Sequence, residues 1–275
     1  MFQMSLTLFS SPTTNYFLFK MNNNYFPVIL AGGFGTRTKE FLHGQPKALI
    51  VSDDDKTLLN HLLLDLEANG FRESLIVSNS LYYDQIKKHV DNLRSGGLTI
   101  SANILNDGVV SSENRKGALG DLLFGLKSID KSKSLLVFAS DYAYWKSFTV
   151  SDILDFASNN KYKNSFITLA RQAKNKDEIK GRFGCPELDG EGFVMSFEEK
   201  PSEPKTDLAT IAFYVYRSEH LDLLKEFKEQ GGNMDSPSNI IPFLLKNNVK
   251  VASMIVKDNI VDAGTPEDIK EAMKY

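Results

Sequence analysis

Tyr25-Phe26-Pro27-Val28-Ile29-Leu30-Ala31-Gly32-Gly33-Phe34-Gly35-Thr36-Arg37 is the stretch on which the fold turns. The apolar run Tyr25 to Leu30 ends in a glycine cluster, so it reads as a buried strand feeding a loop. Gly32, Gly33 and Gly35 fall within four residues. Glycine permits positive φ and lets a phosphate come close to main-chain N–H groups. Arg37 then offers a planar fork for two phosphate oxygens, and Lys47, after Pro46, a compact charge for a third. The spacing is not the Rossmann fingerprint, and no Gly-Lys-Ser/Thr follows to make a Walker A loop. Taken alone, the segment also fits a tight strand-to-helix turn with solvated charges.

Outward from this strand the elements alternate. Thr57 can cap a helix over 58–69, with Gly70 as its stop. Strand-like runs at 73–78, 98–105 and 134–139 are interleaved with helical patterns at 82–94 and 117–127. Such alternation implies right-handed crossovers and a mainly parallel sheet with helices on both faces. The second half changes character. A strand is expected at 165–170, and 183–188 with 193–199 flank Asp189-Gly190 as a hairpin. Another strand is expected at 208–216, with Ser218 capping the helix after it. Ser236-Pro237 and Thr265-Pro266 read as further helix starts, Thr265 with Asp268 as a variant capping box. The expectation is one α/β domain over residues 25–275: three α/β/α layers, a mainly parallel but mixed sheet, and a small antiparallel annex.

The 275 residues include 42% hydrophobic and 24% charged side chains, ample for a core. A net charge of -3 provides no broad basic surface for nucleic acid. The single Cys185 excludes a disulfide framework and a multi-cysteine zinc site, and a reducing cytoplasm is the natural compartment. No run of eighteen apolar residues marks a membrane span. Met1 to Lys20 lacks the basic start and apolar stretch of a secretory signal. Residues 1–24 are therefore expected to be a disordered leader, or to follow a start assigned too early, with Met21 as the working start.

Further motifs follow in order. Lys116-Gly117-Ala118-Leu119-Gly120-Asp121 opens a helix, downstream of Asn106-Asp107-Gly108. Val137-Phe138-Ala139-Ser140-Asp141 places a carboxylate just past a strand, where open α/β sheets bind ligands and where an acid can hold Mg2+. Arg182-Phe183-Gly184 precedes Phe197-Glu198-Glu199-Lys200-Pro201, and Asp262-Ala263-Gly264-Thr265-Pro266-Glu267-Asp268 closes the series. Each alone fits a turn, a cap or a solvated charge cluster. Together, LAGGFGTR with PK nine residues past the arginine, and the later motifs in this order, resemble the sugar-1-phosphate nucleotidyltransferases, whose fold is of the glycosyltransferase-A type.

The resemblance implies roles. Leu30, Ala31, Gly32, Gly33, Gly35 and Thr36 would wrap a nucleoside triphosphate, with Asp107 and Gly117 at its base and ribose. Arg37 would meet the leaving pyrophosphate, and Lys47 the α-phosphate. Gly184, Glu199, Lys200 and Ala212 would hold a sugar 1-phosphate, with Lys200 on its phosphate. Asp141 and Asp262 would bind Mg2+. Relatives are often dimers or tetramers, so self-association is an expectation, although no interface is specified. Departures are Thr38 for leucine, Ser140 for glycine, Tyr142 for asparagine, Ile260 for an aromatic and Ala212 for glycine. None removes a charged group that the chemistry needs. Two other readings stay open: a cytidylyltransferase for a non-sugar phosphate or phosphonate, with Tyr142, Tyr144 and Trp145 caging a cationic headgroup, and a catalytically silent nucleotide sensor.

Overall fold

The computed structural model describes residues 24–257 and 259–275. The leader expected over residues 1–24 lies, but for Asn24, outside the described residues. The first half runs β1 (Tyr25–Ala31), α1 (Leu58–Ala68), β2 (Glu73–Ser78), α2 (Tyr83–Ser95), β3 (Ser101–Asn106), α3 (Ala118–Gly125), β4 (Ser134–Ala139) and the short β5 (Tyr142–Ala143). The second half runs α4 (Val150–Ser158), β6 (Phe166–Gln172), α5 (Lys176–Ile179), β7 (Gly184–Leu188), β8 (Val194–Glu199), β9 (Leu208–Tyr216), α6 (Leu221–Glu229), α7 (Ile241–Lys246), β10 (Val251–Val256), β11 (Val261–Asp262) and α8 (Pro266–Ala272).

Seven strands form the central sheet in the order β10-β6-β9-β4-β1-β2-β3. All neighbours are parallel except β9, which runs antiparallel to both β4 and β6. The strands read as continuous apolar runs because both faces are covered. Ile29 and Ala31 of β1 pack with Leu59 of α1, Ile86 of α2 and Ile153 of α4. Val28 and Leu30 pack oppositely, with Leu122 of α3, Leu224 of α6 and Leu244 of α7. Alternating side chains thus split one hydrophobic run between two cores and generate the three expected layers. The annex is the β7–β8 hairpin plus a two-residue β5–β11 ladder. Among the described residues no helix is long and apolar enough to cross a membrane.

Register decides what meets at the sheet's edge. Leu30 lies opposite Ala139 in the parallel β1–β4 pair. Two residues on, Gly32 and Asp141 leave adjacent strand ends together, where the loops of an open α/β sheet gather.

Arg217 spans the sheet's other end. The residue is 5% exposed, and its guanidinium donates to the carbonyls of Ser165 (2.9 Å), Ala157 (2.8 Å) and Tyr162 (3.1 Å) and to the Tyr25 hydroxyl (2.9 Å).

Several local expectations shift. Thr57 caps α1 by accepting from the Asn60 N–H, but Ser218 caps nothing: it opens a 3-10 turn and α6 begins at Leu221. Ser236 precedes a 3-10 turn without a side-chain cap. Thr265 accepts from the Asp268 N–H, yet the Asp268 carboxylate turns away to Arg182 (2.8 Å), so the capping box is half formed. The hairpin turn is longer than Asp189-Gly190, because Asp189 accepts from the N–H groups of Glu191 and Phe193.

Candidate active site

Two cavities, of about 370 and 310 Å3, lie along this edge and share Lys47, Ala139, Asp141, Lys200 and Ala212. At their junction Lys47 Nζ stands 3.1 Å from Asp141 Oδ2. Lys47 is delivered by a 3-10 turn, Lys47–Leu49, that starts at Pro46. Asp262 arrives from the far end of the chain through the β5–β11 ladder, in which it pairs with Tyr142. The Asp141 carbonyl then accepts from the Ala263 N–H at 3.0 Å.

The charges here are unbalanced. Burial, with the Asp141 carboxylate next in importance, pushes Asp262 up to about 7 against the pull of Lys47. Burial draws the Lys47 ammonium down, but Asp141 and Asp262 outweigh it and hold the amine above its ordinary value. Two converging carboxylates with oxygen ligands alone are a donor set that suits a hard divalent cation retaining water. Among the described residues no cluster of three or more His, Cys, Asp or Glu side chains forms a denser cage.

The glycine loop is held from below. Asn79 Nδ2 donates to the Gly32 carbonyl (3.0 Å) and the Tyr82 hydroxyl to that of Phe34 (3.1 Å). Gly35 takes φ +57°, and Thr38 closes the turn with N–H (2.8 Å) and hydroxyl (3.1 Å) on the Gly35 carbonyl. A leucine at 38 could not make the second bond. Leu30, Ala31, Gly32, Gly33 and Gly35 line the first cavity, as do Asp107 and Gly117. Thr36 is exposed and lines neither cavity. Arg37 is exposed too and borders the second cavity. Gly117 takes φ +76°, and a Cβ there would run into the Met234 carbonyl. The first N–H groups of α3, on Ala118 and Leu119, bond the carbonyls of Asp235 and Met234.

The second cavity is organised by the β7–β8 hairpin, which sets Gly184 opposite Glu199. Gly184 lies so close that a Cβ would meet Thr210 Oγ1 at 2.6 Å and Glu199 Oε2 at 2.9 Å. Glu199 Oε2 accepts from Ser238 Oγ (2.6 Å), and its other oxygen lies 3.8 Å from Lys200 Nζ. Lys200 adopts φ +50°, left-handed backbone that a non-glycine residue holds only under constraint. Its N–H donates to the Phe183 carbonyl, fixing the turn. Ala212 enters from β9.

Sequence reading missed Ser238, the Arg182–Asp268 pair and Asp121, although an acid inside the apolar helix ALGDLLFG was a legible signal. The aromatic cage near Asp141, left open as part of the non-sugar reading, does not assemble. Tyr142 borders the second cavity, but Tyr144 is buried and donates to Asp65 (3.0 Å), and Trp145 stacks on His61 with ring centroids 3.4 Å apart.

Residues 26–275 match the model of the nucleotidyl transferase family. A glucose-1-phosphate adenylyltransferase of Mycoplasma mobile is 28% identical over 259 residues, 89% of this chain, and the chain spans 65% of that relative's length. A solved structure from Bacillus anthracis, assigned as a glucose-1-phosphate thymidylyltransferase and bound to sucrose, superposes with a TM-score of 0.69 at 19% identity, covering 90% of this chain and 93% of that one. With a family match running from β1 to the last residue, over a sheet whose edge gathers the glycine loop, Lys47, Asp141 and Asp262, the chain belongs to the nucleotidyl transferase family.

Proposed function

We propose that the chain is a sugar-1-phosphate nucleotidyltransferase, with residues 25–275 as its catalytic domain, acting in the cytoplasm on two small-molecule substrates. A sugar-phosphate oxygen attacks the α-phosphorus of a nucleoside triphosphate. A new P–O bond forms, the bond from the α-phosphorus to the bridging oxygen breaks, and pyrophosphate leaves with the electron pair. The observation that carries the reading is the convergence of Lys47, Asp141 and Asp262 where a glycine-loop cavity meets a second one bordered by Lys200 and Glu199.

Each group has work that follows from its place. The obstacle is bringing two anions into reactive geometry. Lys47 stabilises charge gathering on the α-phosphate, and Lys200 fixes the attacking phosphate for in-line approach. Glu199, oriented by Ser238, accepts from sugar hydroxyls beside Gly184. Arg37, exposed at the cavity edge, meets the departing pyrophosphate. A sugar phosphate is already ionised near neutral pH, so no general base is required. Asp141 and Asp262 would hold Mg2+, which supplies charge neutralisation between the reactants. The two relatives are named for glucose 1-phosphate, which makes a hexose 1-phosphate the first acceptor to try.

The experiment is Asp141→Asn in the full chain, with folding checked by circular dichroism. The reading expects turnover to fall about 10²-fold or more, as for other preorganised charges. Near-normal turnover in a folded variant would remove Asp141 from the reaction.

A further inference from the structure

β4, β1, β2 and β3 lie side by side about 4.8 Å apart, so Asp141 beyond β4 and Asp107 beyond β3 stand roughly three spacings, or ~14 Å, apart. Lys47 and Lys200 lie at the β4 end of the first cavity and draw phosphates there. The uncharged end of a nucleotide must then extend across β1 toward β2 and β3. Asp121 of α3 lines the cavity on that side. It is 6% exposed, its Oδ1 has no hydrogen-bond partner, and its Oδ2 sits against Gly32, where a Cβ would collide with it. Asp107 lies beside it, with Oδ1 accepting from the Val109 N–H (2.7 Å) and its carbonyl from Lys116 Nζ (2.6 Å). A buried acceptor without a donor is costly, and the neighbour of this one, Asp107, is itself a carboxyl.

We propose that Asp121 is a base-selecting residue, accepting from the amino group of a base that carries one on its pairing edge and disfavouring uracil and thymine. The proposal rests on the reading of the first cavity as the triphosphate site. Guanine offers N1–H and its 2-amino group, adenine its 6-amino group and cytosine its 4-amino group. Uracil and thymine flank their single N3–H with carbonyl oxygens, which would face the lone pairs of the carboxyl. Burial, then the neighbouring Asp107, raises Asp121 to about 7, consistent with one proton shared by the pair.

The test is titration calorimetry of the full chain with GTP, ATP, CTP, UTP and dTTP, with Mg2+ and no acceptor, so that binding is read apart from turnover. At least one amino-bearing triphosphate should bind about tenfold or more tighter than UTP and dTTP. In Asp121→Asn the amide can donate to a base carbonyl, so the ratio should fall to about threefold or less, through tighter binding of UTP and dTTP. Where the amide fails to fold, Asp121→Ser supplies the same comparison. Tightest binding of UTP or dTTP by the native chain overturns the proposal, as does an unchanged ratio in the folded variant. Absence of binding by all five overturns the triphosphate site itself, which separates the two failures.

Discussion

Replacing Asp121 by asparagine should stabilise the fold more at pH 8 than at pH 5. In the folded chain burial and Asp107 raise this carboxyl from 3.8 to about 7. The unfolded chain releases the same proton near 3.8. Between these values the folded state binds more protons than the unfolded one, so stability falls as pH rises and the contribution is lost above about 7. From pH 5 to 7 that is two units, a loss on the order of 2–3 kcal/mol in the native chain. The amide removes the titration. The gap in melting temperature between variant and native chain should therefore be about 5–10 °C wider at pH 8 than at pH 5. Thermal unfolding of both proteins at the two pH values is the assay, since titrating groups away from the Asp121–Asp107 pair cancel in the difference. Parallel stability curves for the two proteins would refute the claim that a carboxyl is held protonated beneath the glycine loop.

Three other substitutions probe separate parts of the account. Lys47→Ala should lower kcat about 10²-fold or more while the fold survives, because one preorganised charge is lost at the α-phosphate; steady-state kinetics with a pyrophosphate assay decide it. Gly184→Ala places a methyl against the Phe197 ring, Thr210 and Glu199, so KM for the acceptor should rise more than KM for the triphosphate, with a stability loss of about 1–3 kcal/mol from overpacking. Arg217→Met leaves the buried carbonyls of Ser165 and Ala157 without their guanidinium donor, while that of Tyr162 keeps the Ser165 N–H, and should cost about 2 kcal/mol or more in urea unfolding; a loss under half that would mean water replaces the guanidinium.

How much was legible depends on the range of the interaction. β1, β2 and β4 could be read because buried parallel strands are apolar throughout, and Thr57 because a cap is a local bond. Ser218 was misread for lack of tertiary context: a 3-10 turn intervenes before α6. The meeting of Asp141 with Asp262 depends on a two-residue ladder, too short to leave a pattern, and only the resemblance pointed to it. Asp268 satisfied a local capping rule in sequence, yet its carboxylate is claimed by Arg182, 86 positions away. Tyr144 and Trp145 follow Asp141 directly, but Asp65, His61 and Tyr275 draw them into the interior. Asp121 was visible as an acid in an apolar helix; what no local rule contains is that it abuts Gly32.

Product formation by the full chain, with five nucleoside triphosphates crossed against a panel of sugar 1-phosphates, with and without Mg2+, decides whether this site performs nucleotidyl transfer. Metal-dependent release of pyrophosphate together with one nucleoside diphosphate sugar, confined to particular pairs of substrates, is the expected result. Triphosphates that bind without pyrophosphate release for any sugar phosphate in the panel would contradict it.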